Sequence, residues 1–281
     1  MSTDVKPMIA GLIGWPVHQS KSPIIHQHWL KCLAIDGGYM RFPVKPGGAA
    51  AALRAMMPLG LVGLQATMPH KHDCFAAVDV LSDVARALGA VNTVKIDADG
   101  RLHGHNTDIA GFLEPLAALD LNAATITVLG AGGAAAAIVA GLAKKGAGRV
   151  VVVNRSQDAI ALLLANLAGT LGDIETLRCD WAGAQSWTAR SDLIVNATAL
   201  GMMDMPVLPI DVNRIKDGAT VYDIITHPHE TQLLVGARAR GLPVIDGLSM
   251  LIGQAREAFE MFYGQPAPRD QDVILRQLLA A

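Results

Sequence analysis

The chain has 281 residues, of which 51% are apolar and 17% charged, and its formal net charge is −2. That is enough chain for one large domain or two modest ones with a sizeable core, and it is too apolar for extensive disorder. A near-neutral chain without a basic block is not built to bind nucleic acid or an anionic membrane surface.

The first elements are short and alternate in type. MIAGLIG (8–14) predicts a strand, followed by a turn at Gly14-Trp15-Pro16. A helix is expected from Pro23 through IIHQHWLKCLA, since proline suits a first helical turn. YMRFPV (39–44) reads as a strand, 49–57 as a helix and LVGLQAT (61–67) as a strand. Alanine and leucine at helical spacing return over 76–88, and VNTVKID (91–97) reads as extended.

The middle of the chain has a different texture. ATITVLG (124–130) predicts a buried strand, GAGGAAAAIVAGLAKKG a glycine turn opening a helix, and GRVVVVNRS (148–156) a second strand. ALLLANLAGTLG reads as a helix, SDLIVNAT (191–198) and ATVYDII (219–225) as strands, LLVGARARG (233–241) as a helix, and LPVIDG (242–247) closes the series. Alternation of this kind implies right-handed crossovers and a parallel, doubly wound sheet. LSMLIGQAREAFEMFYG (248–264) is amphipathic and helical, and a short last helix ends the chain. The expected fold class is α/β, with an N-terminal α/β domain over 1–105 and a Rossmann-type doubly wound domain over 106–246. The C-terminal helices (247–281) would pack back across the interface to complete the first domain. The longest strongly apolar run (131–143) falls short of the roughly 18 residues of a membrane span, and the start lacks a signal-peptide pattern. Three scattered cysteines (Cys32, Cys74, Cys179) suit a reducing compartment, so a cytoplasmic protein is expected.

The glycine turn is G-x-G-G-x-A, comprising Gly130, Ala131, Gly132, Gly133 and Ala134, with Ala135 where a third glycine often stands. Glycines let a backbone approach a pyrophosphate, and the helix behind them offers unpaired N–H groups. A plain tight turn is the alternative. The next strand ends at Asn154-Arg155-Ser156, where an acid would select NAD and an arginine would accept the 2′-phosphate of NADP. Four polar clusters mark the first domain: Ser20-Lys21-Ser22, Thr67 to Lys71, Asn92-Thr93 and Asn106-Thr107-Asp108. Ordinary readings exist for each: Ser22 as a helix cap before Pro23, Asp108 as the cap of the next helix, Asn92 as a turn residue. Together they supply hydroxyls, amides, an ammonium and a carboxylate, a set suited to a small polyhydroxylated acid. In QATMPHKHDC (65–74), Lys71 between two histidines reads as part of a metal site, as an acid–base lysine or as a polar loop. His26, His28, His103 and His105 are further possible ligands, but no HExxH or CxxC pattern supports zinc.

GWPVHQSKSPIIH (14–26), TMPHK (67–71), GAVNTV (89–94), GHNTDIAGF (104–112), GAGGAA, NRS, VNATALGM (195–202), VYDIITHPHET (221–231) and IDGLSMLIGQA (245–255) together resemble the shikimate/quinate dehydrogenase family. The resemblance runs from about residue 8 to 264. It implies a substrate-binding and catalytic domain, an NAD(P)-binding Rossmann domain and no metal. The implied reaction is reversible hydride transfer between NAD(P)H and 3-dehydroshikimate, a step toward the aromatic amino acids. Lys71 would be the acid–base residue, paired with Asp108. Ser20 and Ser22 would bind the substrate carboxylate, and Thr67, Asn92 and Gln254 the ring hydroxyls. Residues 130–134, Asn154 to Ser156, Thr198, Ile224, Gly247 and Met250 would line the cofactor path. Three positions depart from the family pattern. Gln65 stands where asparagine is usual, Thr226 where tyrosine is frequent, and Ala159 where NADP enzymes often carry a second basic residue. Gln65 and Thr226 thus join the substrate-binding set, and the cofactor is expected to be NAD or NADP. The alternatives left open are a quinate or dual quinate/shikimate dehydrogenase using NAD, and a non-catalytic ligand-binding regulator on the same fold. In each case the partner is a cyclohexene or cyclohexane carboxylic acid, and the protein is a monomer or homodimer.

Overall fold

The structure, a computed structural model, describes residues 6–280. The chain divides into two compact units: one runs to Thr107 and resumes at Gln254, and the other is Asp108–Gly253.

In the first unit β1 (Met8–Gly14) leads to α1 (Ser22–Cys32), β2 (Gly37–Pro43), α2 (Ala49–Arg54) and β3 (Leu61–Ala66). The three strands pair in parallel with β1 in the middle. β1 and β3 are buried along most of their length, so their sequences are apolar runs rather than alternations. Next come α3 (Lys71–Ala77), β4 (Val80–Leu81), α4 (Asp83–Leu88), β5 (Thr93–Ile96) and β6 (Leu102–His105). The sheet order is β2-β1-β3-β5-β6-β4, with β5 antiparallel to both of its neighbours. Ile13, Leu53, Leu64 and Val94 belong to the core of this unit.

The helix expected over 76–88 is instead two short helices flanking a two-residue strand. Polar groups at the break explain the difference. Asp79 accepts from Leu102 N at 2.8 Å and from Arg54 at 2.9 Å, and the Arg54 guanidinium holds its carboxyl down at about 2. Ser82 Oγ then accepts from Ala85 N at 3.2 Å and starts a fresh helix, which ends on Gly89 at φ 61°. Lys71 accordingly lies in the first turn of α3 and not in a loop. Ser22 is the first residue of α1 and makes no cap bond there.

The second unit comprises α5 (Asp108–Leu113), β7 (Thr125–Leu129), α6 (Gly133–Lys144), β8 (Arg149–Val153), α7 (Gln157–Leu171), β9 (Glu175–Cys179), α8 (Trp181–Thr188), β10 (Leu193–Asn196), β11 (Thr220–Asp223), α9 (Gln232–Ala239) and β12 (Val244–Ile245). Its sheet order is β12-β11-β10-β7-β8-β9 and every pairing is parallel. β7 and β10 flank the point where the order of winding reverses. β9 reads ETLRC and was not expected as a strand; as an edge strand it needs no buried apolar run. The long α10 (Gly247–Tyr263) belongs to the second unit up to Gly253 and to the first from Gln254, and α11 (Asp272–Ala280) follows. Among the described residues no helix is long and apolar enough to cross a membrane.

Packing of α10 on the first sheet leaves no room at Gly63. A Cβ built there would lie 2.1 Å from Phe262 Cδ1 and 2.2 Å from Cε1. Gly63→Ala is expected to destabilise the protein by about 1–3 kcal/mol, through displacement of the Phe262 ring. Gly169 sits exposed in the body of α7 with open space around its Cβ position. Gly169→Ala is therefore expected to stabilise by about 0.5–1 kcal/mol. Denaturant melts of the two variants check both signs.

Candidate active site

In the first unit the loop after β1 carries Ser20 and Ser22. Ser20 Oγ accepts from Ser22 N at 3.3 Å and lies 3.2 Å from Ser22 Oγ, so the two hydroxyls form one cluster. Arg41 on β2 holds the loop from below, its Nε donating to the Ser20 carbonyl at 2.9 Å. The loop after β3 is laced to the same place. Trp15 N donates to Met68 O at 3.1 Å, and Thr67 N to Ile13 O at 3.0 Å. Thr67 O in turn accepts from His70 N at 2.9 Å, just before Lys71 opens α3. Lys71 is half-buried, and its carbonyl accepts from Val91 N at 2.9 Å.

The histidines have protein partners or packing roles of their own. His70 is fully buried with Nε2 2.8 Å from Val44 O, and His72 Nδ1 is 3.0 Å from Gly89 O. A carbonyl only accepts, so both rings donate to backbone. His103 pairs with Asp97 at 2.7 Å and His105 with Glu257 at 3.1 Å. Among the described residues no group of three or more histidine, cysteine, aspartate or glutamate side chains could hold a metal ion. His26 is different: it is fully buried and stacks on Tyr39 with centroids 4.0 Å apart and planes 9° apart. Burial pushes its pKa down to about 3, against a smaller opposing effect of the nearby Gln65 side chain.

Gln65, Asn92 and Gln254 come together in this unit with Thr107, from the polar cluster at 106–108, and with Tyr39, which the sequence did not single out for the site. Tyr39 OH donates to Gln65 Oε1 at 2.6 Å, and Gln65 Nε2 donates to Gln254 Oε1 at 2.8 Å. Thr107 N donates to Asn92 Oδ1 at 2.9 Å, Asn92 Nδ2 to Thr107 Oγ1 at 3.1 Å, and Thr107 Oγ1 reaches Gln254 Oε1 at 3.4 Å. Nothing in the spacing of Tyr39 could have announced this, because a tyrosine in a strand is ordinary β-sheet composition.

In the second unit the expected cofactor residues gather at the carboxyl edge of the sheet. Gly130 follows β7 at φ 108°, and a Cβ there would meet Ala197 O at 2.9 Å and Thr198 Cγ2 at 3.0 Å. The glycine turn and the loop after β10 thus touch at the winding reversal. Gly132 caps α6 and Gly133 opens it, and neither has any atom within 4 Å of its Cβ position among the described residues. Ala131 and Ala134 are half-buried beside them. The amino end of a 12-residue helix with that much room offers N–H groups and positive dipole to an anion. Asn154 follows β8 and donates from Nδ2 to Ser156 O at 3.2 Å, while Ser156 Oγ caps α7 through Ala159 N at 3.1 Å. Between them Arg155 is exposed and makes no side-chain hydrogen bond or ion pair among the described residues.

The remaining edge is built on a buried acid. Asp223 ends β11, accepts from Thr231 Oγ1 at 2.7 Å, Ile225 N at 3.1 Å and Asn196 Nδ2 at 3.1 Å, and burial raises its pKa. Asn196 Oδ1 accepts from Thr198 Oγ1 at 2.7 Å and Thr198 N at 3.1 Å, which fixes Thr198. Ile224 and Thr226 follow Asp223 and are half-buried. Gly247 lies so close to this loop that a Cβ would stand 2.2 Å from Ile225 O and 2.5 Å from Ile224 O, and buried Met250 is one turn on along α10. Asp108 is the buried first residue of α5.

Comparison with known proteins identifies three matching family models. Residues 12–94 match the shikimate dehydrogenase substrate binding domain, 115–205 match shikimate / quinate 5-dehydrogenase, and 247–279 match the shikimate 5′-dehydrogenase C-terminal domain. The chain is 44% identical to shikimate dehydrogenase (NADP(+)) of Sphingopyxis alaskensis, covering 100% of both chains. Among solved structures, ligand-free 5-ketofructose reductase of a Gluconobacter strain superposes with a TM-score of 0.89 at 29% identity, covering 98% of each chain. Quinate dehydrogenase from Corynebacterium glutamicum in complex with NAD gives 0.89 at 31% identity, over 98% of this chain and 99% of that one.

The two kinds of glycine in the turn are expected to respond differently. Gly130→Ala places a side chain at φ 108° against Ala197 O and is expected to cost about 1–3 kcal/mol. Gly132→Ala meets open space, and its melting temperature is expected to match the parent's in differential scanning calorimetry. His26 sets a pH dependence. Its folded pKa of about 3 lies below its unfolded value of 6.5, so the unfolded chain takes the proton first. Stability is then full above pH 6.5 and falls as the pH drops toward about 3, by up to about 1.4 kcal/mol per unit. Urea unfolding across that window should show a shallower slope in His26→Phe; an identical slope would assign the effect to other groups.

Proposed function

The chain belongs to the shikimate/quinate dehydrogenase family, oxidoreductases acting on a CH–OH group, and on that premise we propose that it interconverts shikimate and 3-dehydroshikimate with NADP in the cytoplasm. The observation that carries this reading is the full-length similarity to a shikimate dehydrogenase (NADP(+)).

The residues at the edge of the second sheet fit a dinucleotide. Gly132 and Gly133 leave space at a helix amino end that a side chain would fill, and Arg155 is available for a 2′-phosphate. Gly130 to Ala134 would hold the pyrophosphate and Asn154, Arg155 and Ser156 the adenosine ribose. Thr198, Ile224, Gly247 and Met250 would border the nicotinamide, which when bound supplies the hydride acceptor or donor.

The proton is the task of this chain's own side chains. Oxidation of a ring carbinol leaves a carbonyl, so the hydroxyl proton must depart as the hydride does. Lys71 takes that proton at the ring oxygen in oxidation and returns it in reduction, and Asp108 orients the lysine and the neighbouring hydroxyl. Help of this kind is worth roughly 10²–10⁴ in rate. The Ser20 and Ser22 hydroxyls donate to the substrate carboxylate, with Arg41 keeping their loop in place. Thr67, Asn92 and Gln254 contact the ring hydroxyls, and Gln65 and Thr226 tune the pocket around them.

A second reading, quinate oxidation with NAD, is favoured by one feature: Arg155 has no second basic residue at position 159, where alanine stands beside Asp158. Steady-state rates with shikimate, quinate or 5-ketofructose, each with NADP or NAD cofactor, separate the readings. Turnover concentrated in the shikimate–NADP combination is expected. A preference for quinate with NAD would move the assignment, and ligand binding without turnover in any combination would indicate a regulator. Lys71→Ala is expected to lower kcat by roughly 10²–10⁴ while the KM for NADP stays within about twofold. Arg155→Gln is expected to raise the KM for NADP about tenfold and leave that for NAD unchanged.

A further inference from the structure

Lys21 stands between the two serines that the proposed function gives to a substrate carboxylate, yet its ammonium reaches to the far end of the chain. It donates to the carbonyl oxygen of Leu279, in the last turn of α11. The final carbonyls of a helix have no intrahelical N–H to accept from, and the dipole there favours a cation. Backbone bonds tie the rest of the loop to its surroundings. Ser20 N donates to Val17 O at 3.1 Å, and Lys21 O accepts from Ile24 N at 3.0 Å. Arg41 grips the other side, donating to Ser20 O from Nε at 2.9 Å and from Nη2 at 2.5 Å.

The last helix is itself seated at both ends. Leu275 and Leu279, four residues apart and so on one face, are fully buried, and α11 packs along α1. Its first residue, Asp272, pairs through Oδ2 with Arg256 Nη2 on α10, and the Arg256 side chain is only 11% exposed. Gln254 lies two residues before Arg256 on that same helix. α11 therefore runs from the helix that carries Gln254 to the loop that carries Ser20 and Ser22, fastened by a cation at each end.

We propose that α11 is a brace and that Lys21 couples it to the serine loop, which makes Lys21 a positioning residue for the proposed reaction. The serines grip one end of the substrate and Gln254 a hydroxyl of its ring, so their separation must match the distance between those groups. With both fastened to one helix, that separation is set before the substrate arrives, and binding loses less entropy in ordering the site. This rests on the reading of Ser20 and Ser22 as contacts to a carboxylate and of Gln254 as a contact to a ring hydroxyl. Methionine at position 21 keeps the apolar stem and removes the ammonium, so the loop loses its hold on the helix end. Arginine keeps a cation with the reach for a single carbonyl acceptor.

The test is a cycle of Lys21→Met, Asp272→Ala and the double variant, with Lys21→Arg as the conservative control. Lys21→Met is expected to raise the KM for shikimate about tenfold, with kcat within about threefold and the KM for NADP unchanged. Asp272→Ala loosens the other end and is expected to raise the same KM about fivefold. Either cut frees the brace, so the double variant should match Lys21→Met and not reach the roughly fiftyfold rise of independent effects. Lys21→Arg is expected to stay within about threefold of the parent. Multiplied effects in the double variant would make Lys21 a separate contact and overturn the proposal, as would an unchanged KM in Lys21→Met. A Lys21→Arg value as high as that of Lys21→Met would overturn it too. An unchanged KM in the Ser20→Ala/Ser22→Ala variant would overturn the serine contact and the proposal with it. Should the parent turn over neither shikimate nor quinate, the function reading fails, and amide hydrogen exchange decides the brace itself. Faster exchange at Ser20 and Ile24 is expected in both Lys21→Met and Asp272→Ala, and unchanged exchange would overturn it.

Discussion

A parallel strand cannot be reached from its neighbour by a tight turn, and the second unit is organised by that constraint. Each of its strands hands the chain to a crossover, so every strand ends at the same edge of the sheet. Residues far apart in sequence, such as Gly130, Asn154, Thr198 and Ile224, therefore meet there without any long-range pairing of their own. The reversal of winding between β7 and β10 opens a crevice at that edge in sheets of this kind, and the loops after those two strands are the pair that touch at Gly130. Binding residues can then be spread thinly through the sequence, because topology collects them.

The first unit follows a different logic. β1, β2 and β3 obey the alternating scheme, but β5 runs antiparallel to both of its neighbours, and the site is held by side chains more than by strand ends. Backbone bonds such as Trp15 to Met68 and Lys71 to Val91 fix the loops, and Arg41 braces the serine cluster. The fully buried Thr107 links Asn92 to Gln254 and so joins β6's exit to α10.

Much of this was legible in the sequence, for physical reasons that differ by element. Buried parallel strands announce themselves as apolar runs, and the glycine turn is legible because few residues can sit at φ 108° or leave space beside a helix end. The motifs around Lys71 and Asp108 were readable only through family resemblance. What escaped was decided by tertiary partners. The break at 78–82 depends on Asp79 finding Arg54 and Leu102, and β6 and β9 form because neighbouring strands offer a ladder, not because LHGH or ETLRC favour one. Gln65 was visible as a departure from pattern, but its meaning was not, since the phenol that it meets lies 26 residues away on another strand.

That line of buried amides also bears on how such a protein diverges. An asparagine at position 65 would fall short by about one C–C bond, roughly 1.5 Å, and could not touch both Tyr39 and Gln254 from the same backbone position. Positions 39, 65 and 254 are thus bound into a single unit of change: altering one strands a polar atom that the others were arranged to satisfy. Drift at these three sites should proceed by correlated exchange, with intermediates penalised, so that the pocket's chemistry shifts in steps and not gradually.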